Sequence, residues 1–249
     1  MLGSKMVVMN GLGLEHYEEK LSEELTKNNV PFLLLAEEYD AIIKDGVSED
    51  TAHEEEHNDE HNTQEGHEEN EHQDEDSHSH GGIDPHTWLS PKVMSELAKI
   101  LAEKLGVQAN PEAENFIKNL ENLDTQFASK LKNCRSKELV TSHEAFGYLA
   151  RDYGLVQVPV AGIEPDMEPA ASDVAKIITL IKEKNIKTIF TESLVSAKFT
   201  DTIRAETEVQ TLELHALETL TPEEVAAKAD YISLMTQNLE RISTGLDCK

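Results

Sequence analysis

The chain has 249 residues, 38% of them apolar, so it is long enough to bury a core as one large domain or two small ones. Its formal net charge of −27 argues against DNA and RNA as partners, because nucleic-acid affinity rests largely on Lys and Arg. No apolar run reaches the roughly 18 residues that a membrane helix needs, and the opening segment "MLGSKMVVMNGLG" lacks the apolar region of a signal peptide.

Residues 5–36 predict a strand, a helix and a second strand. The strand patterns are "KMVVMN" and "PFLLLA", and between them apolar residues recur at helical spacing in "LEHYEEKLSEELTKN". This order is that of one βαβ unit.

Residues 46–82 form a low-complexity acidic tract without Lys or Arg. Too few apolar residues occur there to bury a core, so we expect a disordered loop in the absence of a ligand. Such a run is usually a solvated linker, but histidines among carboxylates are also typical of metal-binding segments, and we expect weak, multisite metal binding. The candidate ligands of these weak sites are His53, His57, His61, His67, His72, His78 and His80.

Two helices are predicted after the tract, over residues 92–104 and 112–132. Each is preceded by a capping residue and a proline, "SP" in the first case and "NP" in the second. The second helix is long and is the candidate connector between two lobes. Its apolar stripe consists of Phe116, Leu120, Leu123, Phe127 and Leu131.

From residue 137 onward, strand and helix patterns alternate. The strand patterns are "ELVTSH", "VQVPVAG", "TIFTES" and "VQTLELHALE", with helices predicted near 144–153, 172–185 and 196–208, and a last one from Thr221. This alternation predicts an α/β fold, with a mostly parallel sheet flanked by helices on both faces. Cys134 and Cys248 could form one disulfide or remain two free thiols.

His86, His143 and Glu218 are the candidate ligands of a tight metal site. Ligands of parallel α/β folds bind beyond the carboxyl ends of the strands; His143 closes "ELVTSH" and Glu218 ends "LELHALE". His86 lies in "GGIDPHTWLSP", where the proline stiffens the backbone and the tryptophan can anchor the segment in the core. Imidazole and carboxylate suit a borderline ion such as zinc, although each residue alone is more often structural or solvated.

Three further residues have alternative interpretations. His215 could replace Glu218 as a ligand or could face the sheet, and we favour the second. Glu192, at the end of "TIFTES", could orient a histidine, and His16 is expected to be an exposed surface residue. The sequence contains no GxSxG, P-loop, HExxH or CxxC motif.

Several segments carry a family resemblance, in order and over essentially the whole chain. They are "MVVMNGLGLEHYEEKL", the His-rich insertion, "IDPHTWLSP", "TSHEAFGYLARDYGL", "AGIEPDMEPAASDVAKIITLIKEKNIKTIFTESLVSAKFTDTI" and "ALETLTPEE". Together they resemble the metal-binding subunit of bacterial high-affinity zinc ABC importers, the ZnuA-like branch of the solute-binding proteins.

The resemblance implies two α/β lobes joined by a long helix, with one metal ion in the cleft between them. Residues 1–110 would form the N-terminal lobe, residues 111–136 the connecting helix and residues 137–249 the C-terminal lobe. His86 matches the second histidine ligand of the family and His143 the third, where manganese-binding relatives tend to carry a carboxylate. Glu218 falls where some zinc-binding members supply a carboxylate as the fourth ligand.

Members of the family carry a signal segment and a first histidine ligand before the residues that "KMVVMNGLG" matches. We therefore expect this chain to lack the signal, part of the first lobe and one ligand. The site would then have at most two histidines and a carboxylate, which leaves a position for water or for a histidine of the tract.

The implied function is the capture of Zn²⁺ as cargo and its delivery to an ABC transporter permease, by a monomer that makes and breaks no bond. The implied location is the periplasm or the outer face of the cytoplasmic membrane. One alternative is a zinc-buffering or adhesin-type surface protein without a transport role. Another is a zinc hydrolase with an open position for activated water, although the sequence offers no separate general base beside the ligands.

Overall fold

The computed structural model describes residues 4–39, 83–163, 169–192 and 198–249, and the predicted loop 46–82 with its seven histidines lies outside these ranges. The described elements are β1 (Val7–Met9), α1 (Glu18–Lys27), β2 (Phe32–Leu34), a 3₁₀ turn (Thr87–Leu89), α2 (Pro91–Lys104), α3 (Pro111–Leu131), β3 (Glu138–Thr141), α4 (Gly147–Asp152), β4 (Val156–Pro159), α5 (Ala171–Lys184), β5 (Thr188–Thr191), α6 (Lys198–Glu206), β6 (Gln210–Glu213), α7 (Pro222–Ala227) and α8 (Tyr231–Gly245).

The strands form two parallel sheets. β1 pairs with β2, and the larger sheet has the order β4-β3-β5-β6. The carboxyl ends of β3, β5 and β6 therefore meet at one edge of this sheet, and His143, Glu192 and Glu218 follow these three strands. The predicted α/β class, with parallel sheets flanked by helices, is confirmed, whereas the division into lobes at residues 110 and 136 stays a prediction.

Helices cover both faces of the larger sheet. Consecutive residues of a strand point to opposite faces, and the side chains of the two faces belong to different core clusters. Leu139 and Phe190 belong to one core cluster, which contains Leu123 and Phe127 of α3 and Ile242 of α8. The next residue of β3 and the preceding residue of β5 belong to a second cluster, with apolar side chains of α5 and α6. The prediction of helices on both faces is thus confirmed.

The long helix α3 is anchored over most of its predicted stripe. Leu120, Leu123, Phe127 and Leu131 are buried, but Phe116 is 38% exposed. The apolar periodicity of the helix therefore extends beyond the core that the rest of its stripe contacts.

The residues predicted to cap the starts of helices α2 and α7 do so. The Ser90 hydroxyl accepts a hydrogen bond from Val93 N at the start of α2, and Thr221 and Glu224 form a capping box at the start of α7. The strand ends were predicted too late: β3 ends two residues before His143, and β6 ends at Glu213. Within the described residues, no helix is both long and apolar enough to cross a membrane.

Cys134 and Cys248 form a disulfide across a sequence separation of 114 residues. The bridge joins the segment after α3 to the segment after α8, and the same two residues make an isolated antiparallel β-bridge. Of the two alternatives left by the sequence, the structure therefore contains the disulfide and not the two free thiols.

Candidate metal centre

His86, His143 and Glu218 come together although they lie far apart in the sequence. One donor atom from each lies within 4.8 Å of the donors of the other two. Glu218 Oε1 is 3.6 Å from Nε2 of His86 and 3.9 Å from Nε2 of His143. Both imidazoles are buried, whereas the glutamate side chain is 38% exposed, so the cluster can be reached from solvent on the glutamate side.

His86 is oriented by the aspartate two residues before it. Asp84 Oδ1 accepts a hydrogen bond from the backbone N–H of His86 at 2.9 Å, which is an Asx turn, and the same oxygen lies 2.8 Å from His86 Nδ1. One carboxylate oxygen thus fixes both the backbone and the imidazole, and Nε2 is turned towards Glu218. The sequence reading missed Asp84, although an aspartate two residues before a histidine is a recognisable turn signal.

Asp84 is itself held by α4. The Tyr148 hydroxyl donates to the backbone carbonyl of Asp84 at 3.1 Å. A Cβ atom at Gly147 would lie 2.8 Å from Asp84 Oδ2, so the close approach of this carboxylate depends on the glycine. On the other side, the Asn10 side-chain amide donates to the Pro85 carbonyl at 3.1 Å and ties the β1–α1 connection to this segment.

His143 lies just beyond the end of β3, in a fully buried position. Its backbone carbonyl accepts a hydrogen bond from the Thr141 hydroxyl at 2.8 Å. Glu192, which follows β5, places Oε1 at 2.6 Å from His143 Nδ1, so the contact suggested by the sequence is present. Nε2 of His143 makes no hydrogen bond with the described residues, although it is buried.

Glu218 lies in the segment 214–221 between β6 and α7, not at the end of a strand as predicted. The Trp88 indole N–H donates to the carbonyl of Ala216 at 2.8 Å, and the Tyr231 hydroxyl donates to the carbonyl of Trp88 at 2.8 Å. The tryptophan that follows His86 therefore contacts the segment that carries Glu218.

His86 and Glu218 influence each other's ionisation. Burial by itself lowers the pKa of His86, but the contacts with the Asp84 and Glu218 carboxylates outweigh burial and raise this pKa to about 9. The facing imidazole of His86 lowers the pKa of Glu218 below its ordinary value, against the opposing effect of burial. Without a bound cation, the site is therefore a mutually stabilised pair of opposite charges.

This arrangement has the chemistry of a transition-metal site. Each histidine uses Nδ1 for a carboxylate, which leaves Nε2 as the donor that faces the centre, and metal-binding histidines are commonly oriented in this way. Around a tetrahedral zinc ion, with bonds of about 2.0–2.2 Å, neighbouring donors lie roughly 3.3–3.6 Å apart. The separations measured from Glu218 are close to this spacing, and a set of two histidines and one glutamate leaves a fourth position open.

Within the described residues, the other two histidines, His16 and His215, do not join this cluster. His16 is exposed, as expected. His215 is buried in the segment 214–221, and both of its ring nitrogens face partners in that segment and in α7, so its role as an alternative ligand is not supported. The seven histidines of the tract lie outside the described residues, and their weak metal binding stays a prediction.

Residues 1–245 match the family model of ZnuA, described as "Zinc-uptake complex component A periplasmic". The chain is 39% identical over 172 residues to the high-affinity zinc uptake system protein ZnuA of Bacillus subtilis, which covers 66% of this chain and 54% of that protein. It therefore spans about half the length of this curated relative.

Two solved structures have a similar fold. One is the Zn(II)-bound ZnuA-like domain of Streptococcus pneumoniae AdcA, with a TM-score of 0.69, 28% identity and coverage of 99% of this chain and 81% of that one. The other is the laminin-binding protein Lmb of Streptococcus agalactiae, with a TM-score of 0.59, 33% identity and coverage of 69% and 67%. The latter is described as a bifunctional protein with adhesin and metal-transporting activity.

Proposed function

The chain belongs to the ZnuA family, and from this premise we propose that it captures Zn²⁺ outside the cytoplasm and delivers it to an ABC permease. Membership of the family confirms the resemblance found in the sequence. The zinc ion is the cargo in this proposal, and no covalent bond of a substrate is made or broken.

The observation that carries the proposal is the buried Nε2 of His143, which has no hydrogen-bond partner among the described residues. A buried polar atom without a partner costs free energy, and a bound cation would compensate that cost. Nε2 of His86 and Oε1 of Glu218 lie close enough to share the same ion. Nitrogen and oxygen donors together suit zinc, whereas softer ions prefer sulfur ligands.

Capture follows from how the two histidines are held. The Asp84 and Glu192 carboxylates accept hydrogen bonds from the Nδ1 atoms, so that both Nε2 atoms face the incoming ion. Zinc displaces the proton that His86 carries, and the positive charge on this side chain is replaced by the charge of the ion. Glu218, at the exposed side, supplies a negative charge that attracts the cation and then binds it.

In this proposal, zinc is released when the protein binds the transporter. Glu218 lies in a connection between two elements and not on a strand, so a small movement of the segment 214–221 would remove one donor and leave the two histidines in place. Loss of one of the three ligands that the described residues supply would weaken zinc binding and so favour transfer to a permease site.

The test is a competition titration of the purified chain with a zinc chelator. His86→Ala and His143→Ala should each weaken the tight site by well over tenfold, because loss of even an outer hydrogen-bond partner costs roughly 10–100-fold. His16→Ala is the matched control, since this histidine is exposed, and it should bind as the parent does. Unchanged tight binding in both site variants would refute the assignment.

Delivery needs a second measurement, with zinc uptake into vesicles that contain the cognate permease and ATPase. Uptake should depend on the added chain and should be lost with His143→Ala. If uptake is independent of the chain while zinc binding is intact, the protein is a zinc-binding surface protein without a transport role.

An adhesin activity is the second candidate, and the observation that favours it is the similarity to Lmb. Immobilised laminin would be the probe, with the chain added in the presence of zinc and in the presence of a chelator. Saturable binding would support the second activity, and the absence of binding above an albumin control would exclude it.

A further inference from the structure

His215 is a buried histidine outside the cluster of His86, His143 and Glu218. Its two ring nitrogens face different partners. Nδ1 accepts a hydrogen bond from the backbone N–H of Leu217 at 2.8 Å, and Nε2 lies 3.3 Å from Oε2 of Glu224 in α7. The side chain therefore spans the segment 214–221, which carries Glu218.

The tautomer of His215 follows from these contacts. A backbone N–H can only donate, so Nδ1 must carry a lone pair and the proton of the neutral ring is on Nε2. This Nε2–H points to the Glu224 carboxylate, which also accepts hydrogen bonds from the N–H and the hydroxyl of Thr221. One imidazole thus connects the start of the segment to its end.

The backbone of His215 is clamped as well. The side-chain amide of Asn238, in α8, accepts a hydrogen bond from His215 N at 2.9 Å and donates to His215 O at 2.8 Å. Asn238 is fully buried. Because both backbone groups are paired with one rigid helix, the position of the imidazole is fixed before the segment turns away.

The turn that follows is unfavourable without help. Leu217 has a φ of +59°, a left-handed backbone conformation that residues other than glycine seldom adopt. The hydrogen bond from its N–H to His215 Nδ1 stabilises this conformation, and Glu218 is the next residue. The left-handed residue sets the direction in which the Glu218 side chain leaves the backbone.

We propose that His215 is a positioning residue for the zinc site, which acts through Leu217 by holding the turn that presents the Glu218 carboxylate to His86 and His143. This inference rests on the proposed function, because it assigns the role of His215 to that same site. His215 binds no metal in this account.

The test is a double-mutant cycle on zinc affinity, with His215→Leu, Glu218→Gln and the double variant. If His215 acts through Glu218, His215→Leu should weaken zinc binding about 10–100-fold, as outer partners of metal ligands do. In the Glu218→Gln background, the same change should cost less than threefold, because the group that it positions is already impaired. If the two single substitutions lower the free energy of zinc binding additively in the double variant, the proposal is wrong.

A conservative variant separates positioning from folding. In His215→Asn, the amide oxygen can accept the Leu217 N–H two residues ahead, in an Asx turn, and zinc affinity should stay within about threefold of the parent. Amide hydrogen exchange of Leu217 should be slow in the parent and in His215→Asn, and fast in His215→Leu. If His215→Asn loses as much affinity as His215→Leu while this amide stays protected, the hydrogen bond to Leu217 is not the cause, and the proposal is wrong.

The cycle distinguishes the failure of this inference from that of the proposed function. If Glu218→Gln binds zinc like the parent, Glu218 is not a ligand, and both the site assignment and the positioning role fail. If Glu218→Gln weakens binding and His215→Leu does not, only the positioning role fails. His16→Leu, an exposed histidine with the same substitution, is the matched control and should leave affinity unchanged.

Discussion

Glu192 offers a direct test of how the site is preorganised, because it contacts His143 and is not itself placed among the ligands. Its Oε1 lies 2.6 Å from His143 Nδ1, and its side chain is 8% exposed. The carboxylate holds the proton on Nδ1 and so leaves the Nε2 lone pair for the metal. Two substitutions remove this effect in steps, first the charge and then the acceptor.

The expected loss of zinc affinity follows from the difference between a hydrogen bond to a charged group and one to a neutral group. A bond to a charged group contributes about 1.5–3 kcal/mol and a neutral one about 0.5–1.5 kcal/mol, so Glu192→Gln should weaken zinc binding by about 1–1.5 kcal/mol. That corresponds to about tenfold in Kd, since each 1.4 kcal/mol is about a factor of ten. Glu192→Leu also leaves the buried Nδ1–H without a partner and permits the other tautomer, so its loss should approach 100-fold.

Competition titration with a chromophoric chelator at neutral pH would measure the series. The Ser142 hydroxyl also donates to Glu192, so Ser142→Ala is needed as a control that keeps the carboxylate on His143, and it should bind almost as the parent does. Glu208→Gln, on an exposed glutamate, controls for the loss of one negative charge. The reasoning is refuted if Glu192→Leu, with its fold intact by circular dichroism, binds zinc as tightly as the parent.

Three further predictions concern stability. In the metal-free protein, the pKa of His86 is raised from 6.5 to about 9. The protonated side chain therefore adds to the free energy of unfolding; this contribution is complete below pH 6.5 and is lost as the pH rises through 9. With chelator present, the difference in unfolding free energy between the parent and His86→Gln should shrink over this window by on the order of 2–3 kcal/mol, and a constant difference would contradict the raised pKa. Replacing Cys134 and Cys248 together with serine should lower the free energy of unfolding by about 2–5 kcal/mol in urea denaturation, because the bridge spans 114 residues of sequence, and equal stability would argue against it. Trp88→Phe removes the N–H that donates to the Ala216 carbonyl and should lower the free energy of unfolding by about 1–2 kcal/mol in the same assay, whereas an unchanged midpoint would show that this bond contributes nothing.

The fold class and the helix starts could be predicted because they depend on local signals. The hydroxyl of Ser90 and the capping box at Thr221 bond to backbone groups a few residues ahead, so the sequence alone contains both partners. Strand ends were less predictable: apolar alternation continues past Glu213, but pairing with β5 stops there and the chain turns. The pattern contains no information on where the neighbouring strand ends.

The sequence by itself determined the elements, their α/β order and the three residue types that suit a metal, since periodicity, capping and donor chemistry are properties of short stretches. Only the tertiary structure established that Glu192 contacts His143, that Trp88 contacts Ala216 and that Cys134 pairs with Cys248. These partners are brought together by the order of strands in the sheet and by the packing of helices on it. Such contacts depend on many residues at once, so no short stretch of the sequence encodes them.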